Sequence, residues 1–560
     1  MLRHFSTRQK IIVMLAVMSA LFLVALDQTI TSTSLGAIVK EFNSFSSLGF
    51  VITAYMLTTT VTVPLAGKLS DMYGRRPILI TGVAIFTLGS LLSGVSPTIE
   101  WLIAWRALQG VGGGIITSNA FTIVGDLFSP RERGKWQGIV GAVFGMSSVV
   151  GPLLGGWLTD GQSIFGLTTD WRWTFLINVP IGILAAIVIM MQLPNIKHDK
   201  EHHLDVKGAL LLSIALASVV LAVDNTEIFF AGLIDAGISL GFIKGTLWVI
   251  AMATTSLFIV VERRAKQPIL SLNFFRNQTY TLMLIVSVLF GAGFLGSILY
   301  LTQFNQQVYG ATASQAGLML LPMIGGMTIS SIIVGQLISR VGKYKKFIVI
   351  GLGVTTLSIL SLVTLRPDTV YWYEAVIMAI CGLGLGMAMP VLSLAVQNEF
   401  EQKDLGAATS SVQLFRGLGS TVGTALLSGL LTAGILVSVG DPQKIPYIQT
   451  LKSSPAASEM LKNGIDADTL LQINSQESSI KQSAEGGFKG IPDPRVRKAA
   501  TEKFITQQRD FHSAIINAFT DSLHNIFMVS SGLMALAFCV VLFIKERPLR
   551  KNTNSRTPGE

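Results

Sequence analysis

The chain has 560 residues, of which half are hydrophobic and only 13% are charged. Its mean hydropathy is +0.58, and a water-soluble domain carries about twice that charge density. These figures exclude a soluble globular protein and describe a chain that crosses a membrane many times. Runs of roughly 18 or more mostly apolar residues mark the spans. They fall at 11–35, 48–66, 77–96, 100–124, 135–159, 174–193, 207–224, 245–261, 280–302, 314–339, 346–365, 371–397, 405–437 and 518–544. Lipid offers no partner for free backbone groups, so all are expected to be helices. The expected fold is all-α and polytopic.

Met1–Lys10 is basic, but the apolar run after it, Ile11–Leu35, is too long for a cleaved signal peptide. That run carries one charge, Asp27. A carboxylate in lipid costs several kcal/mol unless it is paired, wetted or protonated, so Asp27 is a candidate functional residue. Its expected partner is Arg106, in the fourth span. Asp27 lies roughly 24 Å along its helix from the inside, and Arg106 about 9 Å from the outer end of its own, which puts both in the outer half of the bilayer. Arg stays charged and biases a nearby carboxylate toward ionisation.

Between spans two and three stands Gly67-Lys-Leu-Ser-Asp-Met-Tyr-Gly-Arg-Arg76. Gly67 and Gly74 permit close approach and a tight turn. Asp71 is expected to face a neighbouring helix N-terminus. Arg75 and Arg76 are expected to pair with a carboxylate at the end of another span, with Asp126 of span four as the candidate. In span five, Gly141 and Gly145, then Gly151 and Gly155, put smooth patches on a helix face. Pro152 removes a backbone donor and predicts a kink there.

The chain repeats itself weakly. Gly335-Gln-Leu-Ile-Ser-Arg-Val-Gly-Lys-Tyr344 aligns with the Gly67 loop at an offset of 268 residues, with Ser339 where Asp71 stands. Gly138–Gly156 and Gly406–Gly429 correspond at a similar offset. Two six-helix halves related as parallel repeats fit this pattern. Spans seven and eight are left between them. Glu374 and Asp521 lie near helix ends and are expected to be interfacial. Segment 438–517 is polar, with turns expected at Asn463-Gly464 and Gly486-Gly487. Asp493 followed by Pro494 reads as a helix start. Lys197–His203 holds three histidines among lysines; the lysines would repel a cation, so no metal is expected. Cys381 and Cys539 fall inside spans, and no disulfide is expected.

The net charge of +10 does not point to nucleic acid. With the N-terminus inside, short inside loops and tails hold 26 Lys/Arg and short outside loops four. The long 438–517 segment holds ten, and Arg106 and Arg416 lie in helices. This asymmetry sets both termini in the cytoplasm. There is no Gly-x-x-x-x-Gly-Lys-Ser/Thr loop for a nucleotide, and Gly110–Gly114 is mid-membrane with no preceding strand.

The Gly67–Arg76 loop resembles the hallmark loop of the major facilitator superfamily. Arg106-Ala-Leu-Gln-Gly-Val-Gly-Gly-Gly114 resembles its span-four Arg motif, and Gly151-Pro-Leu-Leu-Gly-Gly156, preceded by Gly145, the span-five antiporter motif. Leu26-Asp-Gln-Thr-Ile30 and Trp171–Pro180 resemble the branch of fourteen-helix drug:proton antiporters. The resemblance implies two six-helix bundles plus two extra central helices. It also implies alternating access, with Asp27 and Arg106 in proton coupling, and Gly67, Asp71, Gly74, Arg75, Arg76 and Asp126 as a conformational loop and latch. Gly145, Gly151, Pro152, Gly155 and Gly156 become the antiporter helix. Tyr55, Asn119, Gln303, Asn305, Gln397 and Gln413 are candidates for the central cavity. The expected division is 1–199 for the first bundle, 200–265 for the extra helices and 266–437 for helices nine to thirteen. An outside loop at 438–517 and a last helix with its tail at 518–560 complete it.

The expected activity is efflux of hydrophobic or amphipathic compounds by a monomer in the bacterial cytoplasmic membrane, in exchange for protons. The alternatives are an exporter of lipids or lipid-linked molecules, and a non-transporting sensor or receptor on the same fold. No cofactor, nucleotide or enzymatic reaction is expected.

Overall fold

The computed structural model describes residues 6–42, 48–159, 161–164, 166–193, 205–223, 226–452, 465–488 and 492–549. Among the described residues, fourteen long helices carry the fold. The first half holds α1 (Thr7–Phe42), α2 (Leu48–Tyr73), α3 (Arg75–Gly94), α4 (Ile99–Leu127), α5 (Pro130–Thr159) and α6 (Asn178–Gln192). Then come α7 (Val206–Val223) and α8 (Leu240–Arg264). The second half holds α9 (Gln278–Gln307), α10 (Leu321–Val341), α11 (Lys345–Ser361), α12 (Tyr371–Glu399), α13 (Leu405–Val439) and α14 (Pro494–Leu542). All but α4 are long and apolar enough to cross a membrane, α6 and α11 together with the short helical turns beside them, as Trp173–Gln192 and Lys345–Thr364. Helix α4 carries Arg106, Asp126 and a glycine run, and from Gly112 to Leu127 it is almost wholly buried among other helices. An enclosed helix does not need an apolar surface.

The two halves pack in the same pattern. In the first, α4 lies against α2 and α3, and α1 lies against α5 and α6. In the second, α12 lies against α10 and α11, and α9 against α13 and α14. The halves meet where α2 touches α13 and where α5 touches α10, which are equivalent pairs under the same exchange. This is the arrangement of parallel repeats. Helices α7 and α8 pack on each other and reach the rest through α2 and α13.

Local chemistry sets the helix ends. Asn277 caps α9 by accepting from the Tyr280 N–H, and Asp493 caps α14 by accepting from the Arg495 N–H at 2.8 Å. Gly342 ends α10 in the left-handed region at φ 72°. The α2–α3 turn rests on Gly74 at φ 99°, a conformation that favours glycine.

Segment 438–517 is largely helical where described. Short helices Pro446–Lys452, Ala467–Ser475 and Glu477–Phe488 pack on the first turns of α14. Tyr447 is the centre, with its ring 5.1 Å from Phe511 and 5.4 Å from Phe504, and Gln508 donates to its hydroxyl. Gly486 and Gly487 therefore sit inside a helix, not a turn. The helix expected to start at Asp493-Pro494 does so, and α14 runs on through Ile515 into the last span. Asn463-Gly464 and Lys197–His203 lie outside the described residues. Cys381 and Cys539 are free thiols.

Candidate functional site

Asp27 is wholly enclosed, at 0% exposure. It sits in the middle of the first half, and three other helices bring donors or apolar walls to it. Arg106 of α4 donates from Nη1 to Asp27 Oδ2 at 2.5 Å. Gln109, one turn further along α4, donates from Nε2 to Asp27 Oδ1 at 2.8 Å and accepts from Arg106 Nη1 at 2.8 Å. Asn178 at the head of α6 donates to Asp27 Oδ1 at 3.3 Å and to Ser90 Oγ of α3 at 3.0 Å. Arg106 also donates from Nε to the Val51 carbonyl of α2. Its guanidinium stacks 4.3 Å from the Tyr55 ring centre and 5.5 Å from that of Phe175. The pair is thus dry, hydrogen-bonded on both sides and walled by aromatic rings. A buried pair with its remaining lone pairs satisfied holds together, and removing one partner leaves an uncompensated charge.

Tyr55 is part of this cluster and not of an open cavity. Gln109, Asn178 and Ser90 are neighbours of the pair that the sequence did not single out. Uncharged polar residues recur throughout the spans, so only the three-residue spacing from Arg106 to Gln109 carried a signal.

A second cluster lies at the terminal face, where the described residues begin at Ser6 and end at Leu549. The Asp71 carboxylate accepts from the backbone N–H groups of Gly406 at 3.1 Å and Ala407 at 2.9 Å, at the N-terminus of α13. Those amides have no partner within the helix, and the helix dipole favours a negative charge there. Arg75 pairs with Asp71 and with Asp126, from Nε to Oδ2 at 2.6 Å in the latter. The Arg75–Asp126 pair joins α3 to α4 within one half. Within this Asp71–Arg75–Asp126 cluster, among the described residues, the bonds that cross to the other half are those of Asp71. Gly67 lies directly on Ser410 and Gly406, where a Cβ has no room. Arg76 is half-buried and forms no ion pair among the described residues. Arg133 of α5 donates to the Gln397 carbonyl of α12 at 3.1 Å, and Gln397 Nε2 donates to the Phe121 carbonyl of α4 at 2.9 Å. The two halves are therefore closed on each other at this face.

The span-five glycines divide their work. Gly138 and Gly145 face α10 of the other half, against Ser331 and against Met327 and Thr328. Gly151 faces α1 of its own half, against Thr29, whose hydroxyl donates to the Ser147 carbonyl at 2.9 Å. The helix continues through Pro152, which touches Gly317. Gly155 is buried and Gly156 half-buried.

Among the cavity candidates, Asn119, Asn305, Gln397 and Gln413 are buried, and Gln303 is half-buried. Among the described residues, Asn119 Oδ1 and Gln413 Oε1 have no partner. Asn305 donates to both oxygens of Glu374, at 2.9 and 3.0 Å. Glu374 is 0% exposed. It lies only three residues inside α12, but the end of α9 covers it.

On the opposite face, Arg172 clamps Glu41 with two hydrogen bonds of 2.7 and 2.9 Å, and Trp171 Nε1 adds a third at 2.6 Å. The guanidinium holds the Glu41 carboxyl below the usual carboxylate range.

The family is settled by comparison. Residues 17–424 match the Major Facilitator Superfamily model. The chain belongs to this superfamily. It is 35% identical over 531 residues to the multidrug transporter protein MdtP of Bacillus subtilis (strain 168), covering 94% of this chain and 91% of that one. It is 33% identical over 481 residues to multidrug resistance protein 3 of the same organism, covering 81% and 89%. The solved structure of the human organic anion transporter MFSD10 (TETRAN) superposes with a TM-score of 0.58. That match covers 96% of this chain and all of the other, at 14% identity, a likeness of fold alone. This superfamily member is a multi-pass membrane protein.

Proposed function

We propose that this protein is a proton-coupled exporter of hydrophobic or amphipathic compounds, working by alternating access with fourteen spans and both termini in the cytoplasm. One observation carries the reading: the dry Asp27–Arg106 pair at the centre of the first half. Two relatives named for multidrug transport or resistance support the cargo class.

The proton's work follows from the contacts. Protonating Asp27 removes the charge that holds Arg106, and with it an ion pair inside a low-dielectric site. The contact of α1 with α4 and α6 then loosens. Helix α1 is bonded to α5 through Thr29 and Ser147, and α5 is the helix that packs on α10 of the other half. A proton taken up at Asp27 is in this way connected to the interface between halves. The Asp71 cap on α13 holds the terminal face shut until the halves rock apart. Loss of the proton to the cytoplasm re-forms the pair and resets the cycle.

The test uses purified protein in liposomes with an imposed pH gradient and three probes: ethidium, N-phenyl-1-naphthylamine and 8-anilinonaphthalene-1-sulfonate. At least one should move against its concentration gradient, and nigericin should abolish the movement. Movement insensitive to nigericin would remove proton coupling, and accumulation of none of the three would remove the exporter reading.

A further inference from the structure

Helix α13 carries a cation that the proton pathway does not use. Arg416 lies eleven residues from the start of α13, about 16 Å along the helix at 1.5 Å per residue, which is mid-membrane. Its guanidinium points across the interface between halves. It lies 5.7 Å from the ring centre of Phe121 on α4 and 5.9 Å from that of Phe144 on α5. These two rings stack on each other at 6.3 Å. Among the described residues no carboxylate, carbonyl or hydroxyl accepts from this guanidinium. The side chain is half-buried, so it is not sealed within a helix contact.

The contrast with the other deep cations decides its meaning. Arg106 has a carboxylate, an amide and a carbonyl as acceptors, and Arg75 has two carboxylates. A cation in the membrane interior is retained where it pairs or serves a pathway. Ring faces attract it only weakly, by about 0.5–2 kcal/mol, and leave its five N–H donors open. A planar fork of donors fits a carboxylate, sulfonate or phosphate with two parallel bonds. Of the two phenyl rings beside it, Phe144 is partly exposed and offers an apolar face, with the buried Phe121 stacked behind it. One turn away on the same helix, Gln413 keeps an unpartnered and nearly fully buried Oε1, an acceptor for a donor on the same ligand.

We infer that Arg416 binds the anionic head of amphipathic substrates, whose apolar body lies against Phe121 and Phe144. This deepens the exporter reading by giving its cargo a charge, since an unpaired cation favours acidic over basic amphiphiles. The site joins the halves, because the head is held by the second half and the body by the first.

The experiment measures binding to the purified full-length protein, without any gradient. The probes are 8-anilinonaphthalene-1-sulfonate and N-phenyl-1-naphthylamine, which shares its rings and lacks the sulfonate. Arg416→Gln should weaken the sulfonate dye roughly ten- to hundredfold, the size of one or two charge-assisted bonds. The neutral dye should keep its affinity within about twofold, and Arg416→Lys, which keeps the charge but loses the planar fork, should recover only part of the sulfonate affinity. Unchanged sulfonate binding in Arg416→Gln, or an equal loss for both dyes, overturns the proposal. If Arg416→Gln does not fold, Phe144→Glu supplies the missing acceptor from within. It should then exclude the sulfonate dye and spare the neutral one, and wild-type binding of both overturns the site. Failure here leaves proton-driven export of neutral compounds standing, and loss of export with intact dye binding leaves the site standing.

Discussion

Asp71 on α2 accepts the backbone N–H of Ala407 on α13 at 2.9 Å, so the first half of the chain caps a helix of the second. A carboxylate cap of this kind stabilises by about 0.5–2 kcal/mol. Asp71→Asn keeps the size and removes the charge. The population closed at the terminal face should fall several-fold, read as a longer spin-label distance between the ends of α2 and α13 at that face. An unchanged distance distribution would mean that the cap does not hold the halves.

Arg75 and Asp126 form a buried pair within the first half, with Arg75 only 2% exposed. Breaking one side of such a pair costs about 3–5 kcal/mol. Arg75→Met and Asp126→Leu should each lower the melting temperature strongly, and the double variant should recover part of the loss. The coupling energy from the cycle should exceed about 1 kcal/mol, and simple additivity would deny the pairing.

The two glycine contacts of α5 separate stability from switching. Gly151 meets Thr29 in the same half, where a side chain has no room. Gly151→Leu should therefore reduce expression and melting temperature. Gly145 meets the flexible end of Met327 across the interface. Gly145→Leu should express well and shift the spin-label distances between α5 and α10. The reverse pattern, or no difference between the two, would count against this division.

Ser483 is exposed on the helix Glu477–Phe488 in the segment between α13 and α14. Ser483→Cys should react with a membrane-impermeant maleimide in intact cells. Labelling only after permeabilisation would invert the proposed topology.

Charge in an apolar span is the most readable signal in this sequence, and Asp27 and Arg106 were visible for that reason. The geometry around them was not. Asn178 and Ser90 are uncharged, and nothing in their spacing ties α6 and α3 to Asp27. The burial of Glu374 was not legible, because a carboxylate three residues inside a helix end is ordinarily wet. Here Asn305, at the far end of α9, reaches over it, and that contact depends on how α9 and α12 pack. Gly486 and Gly487 misled for a related reason. They carry turn propensity, yet packing against α14 holds them helical, and propensity is a weak prior against tertiary contact. The spans themselves were legible because hydropathy acts locally, and the symmetry of the halves showed through the aligned glycines Gly67 and Gly335.

The account turns on Asp27 as the group that takes up the proton. The direct measurement compares two modes of transport in liposomes holding Asp27→Asn, which keeps the side-chain size and removes the titration. Exchange of labelled for unlabelled substrate at equal pH should continue, because it needs only the rocking of the halves. Movement driven by an imposed pH gradient should disappear. Full gradient-driven transport by a well-folded Asp27→Asn protein would contradict the account.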